Sequence, residues 1–130
     1  MKSDKIILVL RIAVAIILIQ TLRFKFTAHP DSVYIFETVG LEPFGRIGIG
    51  VLELIAGILL LIPKTVWAGA LLTLGLIGGA IIMHLTRLGI EVKGDGGVLF
   101  YTALITFILS AILLYYYKNE IPFIGKKLSF

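Results

Sequence analysis

The sequence predicts an all-α integral membrane protein, a four-helix transmembrane bundle with a short interfacial helix in its first loop. Three observations carry that prediction. Hydrophobic residues fill 58% of the 130 positions and charged residues only 15%, against roughly 25% charged residues in a soluble domain. Long apolar stretches alternate with short polar connections, and each is near the length of about 20 residues that a bilayer span needs. The basic residues mostly flank those stretches, as membrane orientation requires. A single membrane domain over residues 1–130 is expected, with no room left for a soluble catalytic module.

The first span is expected over residues 6–24, with Arg11 and Gln20 as its polar positions. Lys2 and Lys5 ahead of an apolar stretch resemble a secretory signal. Arg11 interrupts that stretch, however, and no small-x-small cleavage site precedes Arg23 and Lys25, so a retained span is expected. The second span covers 44–62 and stops at Pro63, which has no N–H to continue a helix. Pro63, Lys64 and Thr65 then make a link so short that the second and third spans must be antiparallel neighbours.

The third span is expected over 66–86 and carries Gly69, Gly75, Gly78 and Gly79. Gly75 and Gly79 form a GxxxG pair, a spacing that lets helix backbones approach closely in lipid. Packing inside the bundle is the first expectation for it, and a homo-oligomer through Gly75 and Gly79 the alternative. The fourth span follows over 98–117, after a turn signalled by Gly94, Asp95, Gly96 and Gly97. In the longest connection, 26–43, Pro30 and Asp31 start a short amphipathic stretch containing Val33, Ile35 and Phe36, which ends near Gly40. That stretch is the expected interfacial helix.

Lysine and arginine set the orientation. The side bearing both termini holds Lys2, Lys5, Arg11, Lys64, Lys118, Lys126 and Lys127, seven of the twelve; the other holds Arg23, Lys25, Arg46, Arg87 and Lys93, the remaining five. This bias predicts both termini in the cytoplasm; the expected location is a cell inner membrane. Tyr115, Tyr116 and Tyr117 suit an interfacial aromatic belt at that side. The same spread of basic residues argues against nucleic acid as a partner.

Several chemistries are excluded. The chain has no cysteine, which rules out disulfides, thiolate metal sites and a CxxC relay within it. His29 and His84 stand without the further donors or spacing of a metal site, so no metal is expected. There is no GxSxG, Walker or dinucleotide motif. A transporter is disfavoured, because four spans with few polar residues enclose a small pathway.

What stands out is Glu53, the one charge in the apolar run from Ile47 to Ile62. A carboxylate at that depth must be protonated, paired or turned to a polar cavity. At about 1.5 Å per residue, Arg11 lies roughly 6 Å from the middle of its own span, within reach of Glu53. A structural Arg11–Glu53 pair is therefore expected, with a polar anchor for a ligand or a proton-handling carboxylate as the alternative. A second polar group, Arg23, Lys25, His29, Arg46, His84 and Asp95, collects at the non-cytoplasmic end.

These residues resemble a family. Arg11, the Phe24-Lys25-Phe26 exit of the first span, Gly50-Val51-Leu52-Glu53-Leu54 with Gly57 and Pro63, and Gly79-Ala80 followed by His84-Leu85 are similar in order and spacing to the DoxX-like membrane proteins. The likeness extends over about the first 117 residues. It implies a four-helix bundle with Arg11, Lys25, Glu53 and His84 as a shared polar set. Relatives are associated with quinone-linked sulfur oxidation, with membrane oxidoreductase complexes and with assembly of other membrane proteins. The resemblance thus implies a small membrane subunit or anchor of a quinone-linked oxidoreductase, with the lipid bilayer and an oxidoreductase or other membrane protein as partners. No covalently bound cofactor is expected; a quinone is the candidate ligand, held near Lys25, His84, Asp95 and Gln20. The alternative is a non-enzymatic membrane chaperone or interaction protein.

Overall fold

The computed structural model describes residues 2–121, with side chains from residue 4 onward. Lys126 and Lys127, counted above towards the cytoplasmic side, and the side chain of Lys2 lie outside the described residues. All secondary structure among them is helical: α1 (Lys2–Gln20), α2 (Leu22–Phe26), α3 (Pro30–Thr38), α4 (Phe44–Leu61), α5 (Val66–Met83) and α6 (Val98–Tyr116), with short 3-10 turns at Pro63–Thr65 and Lys118–Glu120 and a π-helical turn after α5. Among the described residues, four helical stretches are long and apolar enough to cross a membrane: Asp4–Phe26, Phe44–Leu61, Pro63–Leu88 and Val98–Tyr116.

The long helices form a ring in which α1 packs on α4 and α6, and α5 packs on α4 and α6. Their shared core is Ile7, Val14, Ala15 and Leu18 of α1, Ala56 and Leu60 of α4, Val66 and Ala70 of α5, and Leu113 of α6. The opposite faces carry large exposed apolar side chains such as Ile16, Ile58, Ile82 and Ile108, which are suited to lipid rather than water.

Two spans run past their expected ends. The first continues through Thr21 into α2, because the Thr21 carbonyl accepts from the N–H groups of Phe24 and Lys25. The third runs on as a π-helical turn, His84–Leu88, closed by the Gly89 N–H donating to the His84 carbonyl at 2.8 Å. The short helix in the first loop is α3. His29 caps it by accepting from the Asp31 N–H at 3.1 Å, Pro30 occupies its first turn, and it buries Ser32 and Phe36.

The glycines of α5 divide by task. A Cβ on Gly69 would sit 2.8 Å from the Leu60 nitrogen, so bare backbone there lets α5 lie directly on α4. Gly78 lies against the ring of Phe107. Gly75 and Gly79 have nothing within 4 Å of a Cβ and face outward. Packing inside the bundle is thus the work of Gly69 and Gly78, and not of the GxxxG pair to which it was first assigned.

Candidate functional site

Glu53 is 5% exposed, and its partner is Lys25. The ammonium lies 2.8 Å from Oε1 and also donates to the Thr21 hydroxyl at 3.2 Å. It meets Oε1 off the axis of a hydrogen bond, so this fully buried oxygen lacks an aligned donor. The contact is an ion pair between α2 and α4, enclosed by the bundle.

The expected Arg11–Glu53 pair is not formed. Arg11 is 8% exposed, and its Nε and Nη2 donate to the carbonyls of Leu60 and Leu61 at 2.8 and 3.1 Å. Two facts explain the exchange of partners. Depth counting aligns spans at their centres, whereas α1 and α4 are offset: Gly57 lies against Ile19 and Gly50 against Phe26. Glu53 is therefore level with the exit of the first span, within reach of Lys25. The end of α4, for its part, presents orphan carbonyls and the negative pole of the helix dipole. A guanidinium satisfies both, and the helix end serves as its counter-charge.

The outer group separates into two clusters. Around Lys25 stand Glu53, Thr21 and Arg46, whose guanidinium holds Glu42 at 2.9 Å and donates to the Lys25 carbonyl. Around His84 stand Phe100, edge-on at 5.6 Å, and Asp95. The His84 Nδ1 is 2.9 Å from the Gly89 carbonyl; because a carbonyl only accepts, that nitrogen carries the proton. Arg23 lies over the ring of Phe24, and the same ring meets His29 edge-on.

Asp95 shapes the loop that leads into α6. Its Oδ1 accepts from Val92 and Gly97 at 3.0 and 2.7 Å, and its Oδ2 from Leu99 at 3.2 Å. Slight burial raises its pKa, but those three N–H groups and the nearby His84 outweigh it and hold the carboxyl below its ordinary range. Gln20 joins neither cluster. It is exposed, donates to the Ile17 carbonyl of its own helix, and ends a shallow apolar groove of about 290 Å³ lined by Ile12, Ala15, Ile16, Ile19 and Leu61.

Some polar residues escaped sequence reasoning. Thr73, Thr106 and Ser110 are completely buried. The two threonines donate to carbonyls four residues back, Gly69 and Thr102, while the Ser110 hydroxyl has no partner. Nothing in their apolar surroundings distinguishes them. The link between Glu42 and Arg46 did have a signal, the i,i+4 spacing of opposite charges. Among the described residues no three His, Asp or Glu side chains gather as a metal site would require.

The family model described as DoxX matches residues 6–85. That stretch holds Arg11, Lys25, Glu53 and His84 and ends before Asp95 and α6. No curated protein and no solved structure matches the chain.

Proposed function

The chain belongs to the DoxX family, and on that premise we propose that it serves as a small inner-membrane subunit or anchor of a quinone-linked oxidoreductase. The observation that carries this reading is the Lys25–Glu53 pair. Placing one charge at the centre of a span costs about 2.5–3.5 kcal/mol on insertion scales, so an ionisable pair kept there marks a site by default. A lysine ammonium has three N–H donors; one is given to Thr21, and Glu53 is held as an ion-pair partner rather than through an aligned bond. A remaining donor would serve a quinone carbonyl. His84 and Asp95, held by backbone groups, would shape the mouth rather than bind.

The test is extraction of the purified protein, with mass spectrometry and an absorption spectrum. A quinone near one per chain in the parent, lost in a folded Lys25→Met variant, is the expected result. A parent that carries no quinone and co-purifies with no oxidoreductase in mild detergent sinks the reading.

A second reading, a membrane chaperone or interaction protein, is favoured by a different observation. Gly75 and Gly79 leave backbone bare on the outer face of α5, where a partner helix or a second copy could pack closely. It predicts no bound quinone, full function after His84→Ala and loss of partner capture in Gly79→Leu.

A further inference from the structure

Arg46 is 6% exposed, deep for a guanidinium at the end of a bundle. Its Nε meets both oxygens of Glu42 at 2.9 and 3.0 Å, and a terminal nitrogen donates to the Lys25 carbonyl. A long cationic side chain near the end of a span ordinarily runs outward to water. Lys25 does the reverse. Its ammonium points back along α2, one turn towards Thr21, and inward onto Glu53.

Two features account for the reversal. A Cβ on Gly50 would lie 2.8 Å from the Phe26 ring and 3.5 Å from the Lys25 Cβ, so its absence lets α2 settle closely on α4. Arg46, one turn before Gly50, stands on the outward side of Lys25. Glu42 fixes it there, its bulk stands in the way of an outward swing of the ammonium, and its bond to the carbonyl holds the last turn of α2.

We propose that Arg46 is a positioning residue for Lys25: anchored by Glu42, it turns the lysine inward onto Glu53. The proposal rests on the reading of Lys25 as the working group of the site and adds what sets its direction.

Acylation by a membrane-impermeant amine reagent tests it, on the full chain in nanodiscs, with labelling read peptide by peptide. Lys93, whose side chain is 43% exposed, is the internal reference. In the parent, Lys25 reacts far more slowly than Lys93. Arg46→Leu raises the Lys25 rate about tenfold, equivalent to about 1.4 kcal/mol, and Glu42→Gln raises it less. Glu53→Gln is the control, because it frees the ammonium directly and its rate must rise. A Lys25 rate unchanged in Arg46→Leu while it rises in Glu53→Gln overturns the proposal. If Arg46→Leu does not fold, Glu42→Gln keeps size and shape, and an unchanged rate there overturns it equally. Quinone content and co-purifying oxidoreductase are measured on the same samples: a parent with neither overturns the oxidoreductase reading alone and leaves the positioning role standing.

Discussion

Lys25 and Glu53 meet at 2.8 Å across the contact of α2 with α4, each the other's charged partner inside an apolar bundle. Removing one member leaves a buried charge unpaired, a loss of about 3–5 kcal/mol. Lys25→Met and Glu53→Leu should each lower stability by about that much, and the double variant by less than either single change. Reversible unfolding in detergent measures the cycle. Additive losses would show that the pair does not act as a unit.

Arg11 acts on a different helix end. Losing its charge-assisted bonds to Leu60 and Leu61 is expected to cost about 1.5–3 kcal/mol in Arg11→Leu. The loosening should centre on the α4–α5 turn, where amide exchange at Thr65 and Val66 would quicken while labelling of Lys25 stays as in the parent. A change at Lys25 instead would mean that Arg11 and Glu53 are coupled after all.

Glycine substitutions should separate the two kinds of position in α5. Gly69→Ala drives a Cβ to 2.8 Å from the Leu60 nitrogen, an overpacking worth about 1–3 kcal/mol. Gly79→Ala meets open space, and the gain in helix propensity of up to about 1 kcal/mol makes it neutral or stabilising in the monomer. Equal melting temperatures for the two variants would contradict the close approach of α4 and α5.

Asp95 supplies a pH dependence. Its pKa in the folded chain lies below the unfolded one, so it stabilises the loop above the ordinary carboxylate range and the contribution fades as pH falls through the depressed value. Amide exchange at Gly97 and Leu99, compared with Asp95→Asn at each pH, should show protection at neutral pH that narrows on acidification. Identical exchange in both proteins across the range would remove Asp95 as the organiser of the turn.

The orientation is open to a clean test because the chain has no cysteine of its own. A cysteine replacing Lys64 should be shielded from an impermeant thiol reagent in intact cells, and one replacing Lys93 should be labelled. The reverse pattern would place both termini outside.

Much of the fold was legible because its cause is local. Apolar runs of bilayer length, Pro63 as a stop and Pro30 with Asp31 as a start are written in neighbouring residues. The partner of Glu53 was not, since it depends on how far α1 slides along α4, and that offset is set by Gly50 and Gly57 meeting Phe26 and Ile19. Likewise, spacing identifies Gly75 and Gly79 as a close-packing pair but says nothing about which way α5 is rotated. The Asp95 turn could be placed from its glycines, whereas the carboxylate's three N–H partners emerge only once the loop has closed.

The bond from Arg11 to the end of α4 also has a direction in time. The donor lies in a span made before α4, so it waits in the bilayer before the Leu60 and Leu61 carbonyls leave the ribosome. Those carbonyls need not face hydrocarbon unpaired, a state costing several kcal/mol per group. A permuted chain that delivers α1 last should insert with lower yield, although its finished bundle would contain the same contacts. Equal yields would show that the bond matters only once the bundle is complete.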